Sequence, residues 1–314
     1  MPSMKILPLF MFVTLAAQLA ACENPAPTAA PIAKIAPCQI GEYSKADMSA
    51  LKENGYAELT SAQINTLAVD MLACLGSPDP EMRDGIVFEE ISALLRQERL
   101  DTETQIQMFT HLLDVLNGPE DADGFTKPFA ALNMSEIVRA DRVQAYLSPQ
   151  QREDVVQATI NYLTHITDYR GYDETRGWRH GIAHTADIVL QLSLNPNINE
   201  EQLAALRAAI ATQISPPNGH SYIYGESERL ARPLFYMAAR GAFDQENWDV
   251  WLASLAGPAP YEKWAEVYTS EAGLAKLHNT KAFFNVLYIS AQETKNENIK
   301  MLFPGARAAL ISMP

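Results

Sequence analysis

The chain has 314 residues, with 24 Lys and Arg against 38 Asp and Glu, a formal net charge of −14. That sign excludes nucleic acid as a partner, because phosphate binding needs a basic stripe that releases counterions. With 47% hydrophobic, 9% aromatic and 20% charged residues, the composition also excludes disordered and collagen-like chains and leaves a globular protein able to bury a core.

Lys5 stands ahead of an apolar stretch from Ile6 to Ala17 and the small-residue ending Leu19-Ala20-Ala21. Residues 1–21 therefore read as a signal peptide, too short and too Ala-rich for a membrane span of about 20 apolar residues. The ending Leu19-Ala20-Ala21-Cys22 resembles the lipobox of bacterial lipoproteins. The resemblance implies cleavage before Cys22, lipidation of that cysteine and a membrane tether through its acyl chains; the alternative is an uncleaved anchor or an ordinary secreted protein. The tethered chain faces the periplasm, and Glu23 after the cysteine leans the anchor toward the outer membrane. Pro25, Pro27, Pro31 and Pro37 among alanines make residues 22–37 an extended spacer. Export places Cys38 and Cys74 in an oxidising compartment, which favours a bridge between them over two buried thiols.

From Ser44 onward helix signals recur. Starts are expected at Ser44 with Asp47 three residues on, at Ser61, at Asp79-Pro80, at Ser148-Pro149, at Asn199 with Gln202, at Asp244 and at Ser270. Gly55, Gly76, Gly118 and Gly241 each follow an apolar-periodic stretch, where a left-handed C-terminal cap belongs. The pattern gives about twelve helices with no convincing strand or hairpin, an all-α chain with one domain over residues 38–314. The segment Leu75-Gly76-Ser77-Pro78-Asp79-Pro80 with Arg83 resembles the turn of a HEAT repeat, in which the Arg sits near the Asp. That resemblance implies a helical-pair superhelix, but it covers one repeat, so an irregular helical array stays open. Pro233, inside the apolar pattern Leu230 to Ala239, is expected to kink or restart its helix.

The densest run of unusual residues is Asp168-Tyr169-Arg170-Gly171-Tyr172, then Gly177-Trp178-Arg179-His180, with His184 and Asp187 following. Together with Glu226-Ser227-Glu228-Arg229-Leu230, with Lys127 to Leu132 and with Leu277-His278-Asn279, the pattern is similar to an uncharacterised bacterial family, domain of unknown function 2785. The similarity runs from about Asp79 to about Tyr288 and implies an α-helical, repeat-like fold; it brings no known activity, so no role is carried over. At about 100° per residue, His184 falls roughly 40° and Asp187 roughly 20° to either side of His180, placing all three on one helix face, extended by Arg176 and Gln191. Trp178, Ile182, Val189 and Leu192 fall on the opposite, core-facing stripe.

Three readings of the polar stripe compete. His180 and His184 are an i, i+4 pair of ligands for a transition metal such as zinc, completed by Asp187 or by Asp168, Glu226 or Glu228. Or the stripe lines a groove for a small or peptidic ligand, formed by Arg170, Trp178, His180, His184, Asp187, Glu226, Glu228 and Arg229, with Tyr169, Tyr172, Tyr222 and Tyr224 supplying aromatic surface. Or it is a structural network in which Arg176 or Arg229 pairs with Asp187 or Glu228 and the histidines satisfy backbone groups of the Arg170-Gly171-Tyr172 loop, the commonest fate of such a face. His220 sits in a loop, either a lid over the stripe or, more commonly, a turn with an exposed side chain. Trp248, Trp251 and Trp264 read as packing residues. No phosphate loop, nucleophile elbow or C-x-x-C motif appears. The expected function is a binding or scaffold role for an unknown protein or small-molecule ligand; the alternative is a metal-dependent hydrolase with His180, His184 and Asp187 at the metal and Glu226 or Glu228 as base.

Overall fold

Local capping chemistry decides where most of the helices begin. In the computed structural model, which describes residues 38–314, helix α1 (Lys45–Glu53) starts at Ser44, whose Oγ accepts the Asp47 N–H while the Asp47 carboxylate accepts the Ser44 N–H at 2.9 Å. The expected signal peptide, Cys22 and spacer lie outside the described residues. Helix α2 (Ser61–Met71) uses the same reciprocal pair one residue earlier than expected, at Thr60 and Gln63. Asp79 Oδ1 accepts the Glu81 N–H at 3.0 Å and opens a π-helical stretch, Glu81–Phe88, that runs into α3 (Glu89–Arg96).

Helix α4 (Thr102–Asn117) is capped by Asp101. Helix α5 (Thr126–Val143) follows a loop in which the Asp121 carboxylate collects the N–H groups of Gly124, Phe125 and Thr126, a cap with no sequence pattern of the usual spacing. The boxes at Ser148 and Asn199 open α6 (Pro149–His165) and, after the hairpin of β1 (Tyr172–Asp173) and β2 (Gly177–Trp178) and helix α7 (Gly181–Leu194), α8 (Glu200–Gln213). Helix α9 (Glu226–Ala239) precedes α10 (Gln245–Leu255), capped by Asp244, and α11 (Glu271–Glu293), capped by Ser270. Helices α12 (Glu297–Lys300) and α13 (Leu302–Ser312) complete thirteen α-helices among the described residues.

Several expectations need correction. Gly55 and Gly241 take left-handed φ values of 65° and 69° as C-terminal caps should, but Gly118 is extended with φ −77°. Helix α9 continues through Pro233 without restarting, since the ring removes only the hydrogen bond to the Arg229 carbonyl. Arg83 does not sit on Asp79, which Lys45 takes at 2.7 Å. One hairpin exists where none was expected.

The helices stack as an irregular array in two rows. Helices α3, α5, α7, α9, α11 and α13 pack in succession along one, and α2, α4, α6 and α8 along the other. A disulfide joins Cys38 to Cys74, pinning the segment ahead of α1 to the 3-10 turn Leu72–Cys74 that follows α2, across 36 residues. Closing a loop of that length in the unfolded chain is worth about 4 kcal/mol. Trp248 is fully buried on α10, where the ring helps to wall in the Arg207 guanidinium with Phe243 and Trp251. No described helix is long and apolar enough to cross a membrane.

Asp141, near the end of α5, is the main polar node of the core, 1% exposed. Its carboxylate accepts the N–H groups of Tyr146 and Leu147, the Arg152 guanidinium twice at 2.8 Å and the Asn195 amide at 3.0 Å. Burial alone raises its pKa, but the Arg152 bond and the backbone donors outweigh it and hold the group below the usual carboxylate range. A depressed native value means stability that is present above about pH 4 and is lost as pH falls through the native pKa. Asp141→Asn should therefore cost about 3 kcal/mol at pH 7 by leaving Arg152 uncompensated. Urea unfolding of both chains should show the difference shrinking below pH 4.

Candidate functional site

The hairpin is the scaffold of the site. Tyr172 pairs with Trp178 across it, and Asp173 Oδ1 accepts the N–H groups of Thr175 and Arg176 at 2.9 and 2.8 Å to close the turn. Two cations fasten it to the array: Arg83 Nη2 donates to the Arg176 carbonyl at 2.8 Å, and Arg176 Nη1 pairs with Asp123 at 2.6 Å. Beyond β2 the Arg179 and His180 N–H groups donate to the Gly171 and Arg170 carbonyls. His180 then adopts φ 57°, a left-handed turn that L-residues rarely take, and α7 begins only at Gly181. The expected single helix face is therefore wrong at its start: Arg176 and Trp178 lie on the hairpin, and His180 is the residue before the helix.

That turn swings the His180 ring under Trp178. The two rings stack at 4.8 Å between centroids and 23° between planes, with the Tyr172 centroid 5.0 Å and the near-perpendicular Tyr224 centroid 5.6 Å from the indole. Tyr224 fits because residue 171 is glycine; a Cβ there would overlap its ring. Trp178 and Tyr172 remain 37% and 49% exposed, so the aromatic cluster faces solvent. Beneath it, His184 lies 5.7 Å from His180, its Nδ1 3.1 Å from the Pro128 carbonyl and its ring against Phe129.

Glu226, the first residue of α9, closes the floor. It is 2% exposed, accepts the Tyr224 N–H at 2.9 Å through Oε2, and holds Oε1 3.8 Å from His180 Nε2. His180 Nε2 is buried and has no hydrogen-bond partner, and the neighbouring Ser227 Oγ is in the same condition. Burial, assisted by Arg229, pushes His180 down to about 4, against the opposing pull of a backbone hydrogen bond at Tyr224. Burial pushes His184 well below its ordinary value, with His180 and Arg229 adding to it. One turn on, Asp187 is ion-paired with Arg229; burial still raises its pKa against the pull of that guanidinium.

The sequence candidates thus separate. Trp178, His180, His184 and Glu226 are brought into one chain of contacts, and the Asp187–Arg229 pair lies beside it. Arg170 turns away to Asp168 at 2.5 Å, and Glu228 is exposed with Arg232 at 2.6 Å. His180, His184 and Asp187 do not form a metal triad, because Arg229 occupies Asp187; among the described residues no three His, Cys, Asp or Glu side chains converge on one point. His220 is neither an exposed turn residue nor over the stripe: it stacks on Tyr169 at 5.6 Å, in a loop braced by Asn279, which bonds the His220 carbonyl and the Tyr222 N–H. Sequence reasoning missed Pro128, Asp123 and Arg83 as partners of the site, since each contact spans more than 50 residues.

An irregular array of stacked helices, carrying a His–Glu pair under an aromatic roof, is the class of protein these features define. A family described as a protein of unknown function (DUF2785) matches residues 108–289, and the chain belongs to it. The match starts later than the expected Asp79. No curated protein and no solved structure matches the chain.

Both imidazoles favour the neutral form in the folded chain, so their contribution to stability is full above the unfolded value of about 6.5 and falls as pH drops below it. Unfolding midpoints compared at pH 7.5 and 5 should show the wild-type chain losing stability and His184→Gln losing less over the same interval.

Proposed function

We propose that this protein is an envelope lipoprotein that binds a soluble organic ligand at the Trp178–His180–Glu226 site, acting as a binding module. The observation that carries the reading is His180 Nε2: a buried polar atom with no partner, 3.8 Å from a buried carboxylate and roofed by a partly exposed indole. Buried polar atoms are nearly always satisfied, and one left open beneath solvent-facing aromatic rings suits a group supplied from outside. The hydrolase alternative lacks support, because the residue expected to complete a metal site is committed to Arg229. The lipoprotein half of the proposal rests on Lys5, the apolar stretch to Ala17 and the Leu19-Ala20-Ala21-Cys22 ending, with a periplasm-facing body and an outer-membrane anchor.

Two substitutions test the halves separately. Cys22→Ala should abolish incorporation of labelled fatty acid and release the chain from the membrane fraction. Trp178→Ala should leave the melting temperature within about 2 °C, as expected for a partly exposed side chain. It should also abolish thermal stabilisation by any hit from a screen of envelope-derived peptides, amino sugars and amines. A hit that stabilises wild type and Trp178→Ala equally would place the binding elsewhere and overturn the assignment.

A further inference from the structure

Glu226 is a buried carboxylate without a cation. Among the described residues, His180 is the one basic side chain within ion-pair distance of it, and that imidazole favours the neutral form. The nearby guanidiniums are committed, Arg229 to Asp187 and Arg232 to Glu228. A carboxylate out of water with one backbone N–H and no counter-charge is costly, and the arrangement is balanced by a positive group arriving with the ligand.

We propose that Glu226 and His180 receive a primary ammonium group of the ligand, with Trp178, Tyr172 and Tyr224 forming its aromatic surround. This rests on the binding-module reading above. Three observations favour an N–H cation over other groups. Glu226 Oε1 and His180 Nε2 are 3.8 Å apart, a separation that one nitrogen spans with two hydrogen bonds of about 2.9 Å each. A neutral imidazole with Nε2 unprotonated accepts such a bond, and Nε2 has no other partner. The rings of Trp178, Tyr172 and Tyr224 that cluster beside the pair carry the negative quadrupole that attracts cations. A carboxylate or phosphate ligand would meet Glu226 as a like charge, and a neutral hydroxyl would leave that charge uncompensated.

The test compares benzylammonium with benzyl alcohol, two probes of one shape that differ in the charged N–H group, by tryptophan fluorescence of the full chain in detergent, with Trp178→Phe identifying the Trp178 signal. Benzylammonium should bind at least tenfold more tightly, and Glu226→Gln, checked for folding by circular dichroism, should erase the difference. On the wild-type chain alone, methylammonium should displace benzylammonium and tetramethylammonium, which has no N–H, should not. Equal affinity for the two benzyl probes, or equal competition by the two small cations, would overturn the ammonium assignment while leaving the aromatic site standing. Failure of either benzyl probe to perturb Trp178 would overturn both.

Discussion

One buried guanidinium holds the candidate site to the rest of the molecule. Arg83 is fully buried, and its donors reach the Ser77 carbonyl, the Arg176 carbonyl and both oxygens of Asp84. Its flat faces lie against Phe125 and Phe129, 4.1 and 4.5 Å from their centroids. Taking a guanidinium out of water is expensive, so it survives only where its donors and its planar surface are both satisfied. Burial lowers its pKa while Asp84 raises it. The consequence is architectural: the turn before the π-helical stretch, the start of α5 and the hairpin are all referred to one side chain.

From that anchor the site follows in order. The hairpin fixed through the Arg176 carbonyl sets the direction in which the chain leaves β2, and the backbone bonds from Arg179 and His180 to Gly171 and Arg170 carry that direction into α7. Helix α7 is then clamped between α5 and α9, which brings Pro128 to His184 and Glu226 to His180. The polar atoms of three separate helices meet because α5, α7 and α9 are successive neighbours in one row, not because any short motif encodes their meeting.

The legible part of the fold was the part written in local chemistry. Ser44, Ser148-Pro149, Asn199, Asp244 and Ser270 cap helices as expected because the capping bonds reach only three residues along the chain. The hairpin escaped notice because its strands are two residues long, too short for any alternation, and it is held by Arg83, 93 residues from its partner. The helical arithmetic for His184 and Asp187 is sound within α7, and it fails at His180 because the left-handed turn there ends the regular 100° step. The Asp187–Arg229 pair was among the alternatives read from the stripe, but sequence could not choose it over Arg176, whose true partner is Asp123.

The His180 conformation connects strain to the site's chemistry. A non-glycine residue in the left-handed region costs about 1–2 kcal/mol, and glycine at that position would remove the cost. Histidine there gains what glycine has no atoms to provide: a ring stacked on Trp178 and an Nε2 facing Glu226. The ring in turn satisfies no protein donor or acceptor through that nitrogen, which the chain leaves without a partner. His184, by contrast, meets the Pro128 carbonyl from within the regular helix α7, without the backbone cost that His180 carries. Strain combined with an unpartnered polar atom, under rings that face solvent, fits the ligand site proposed above.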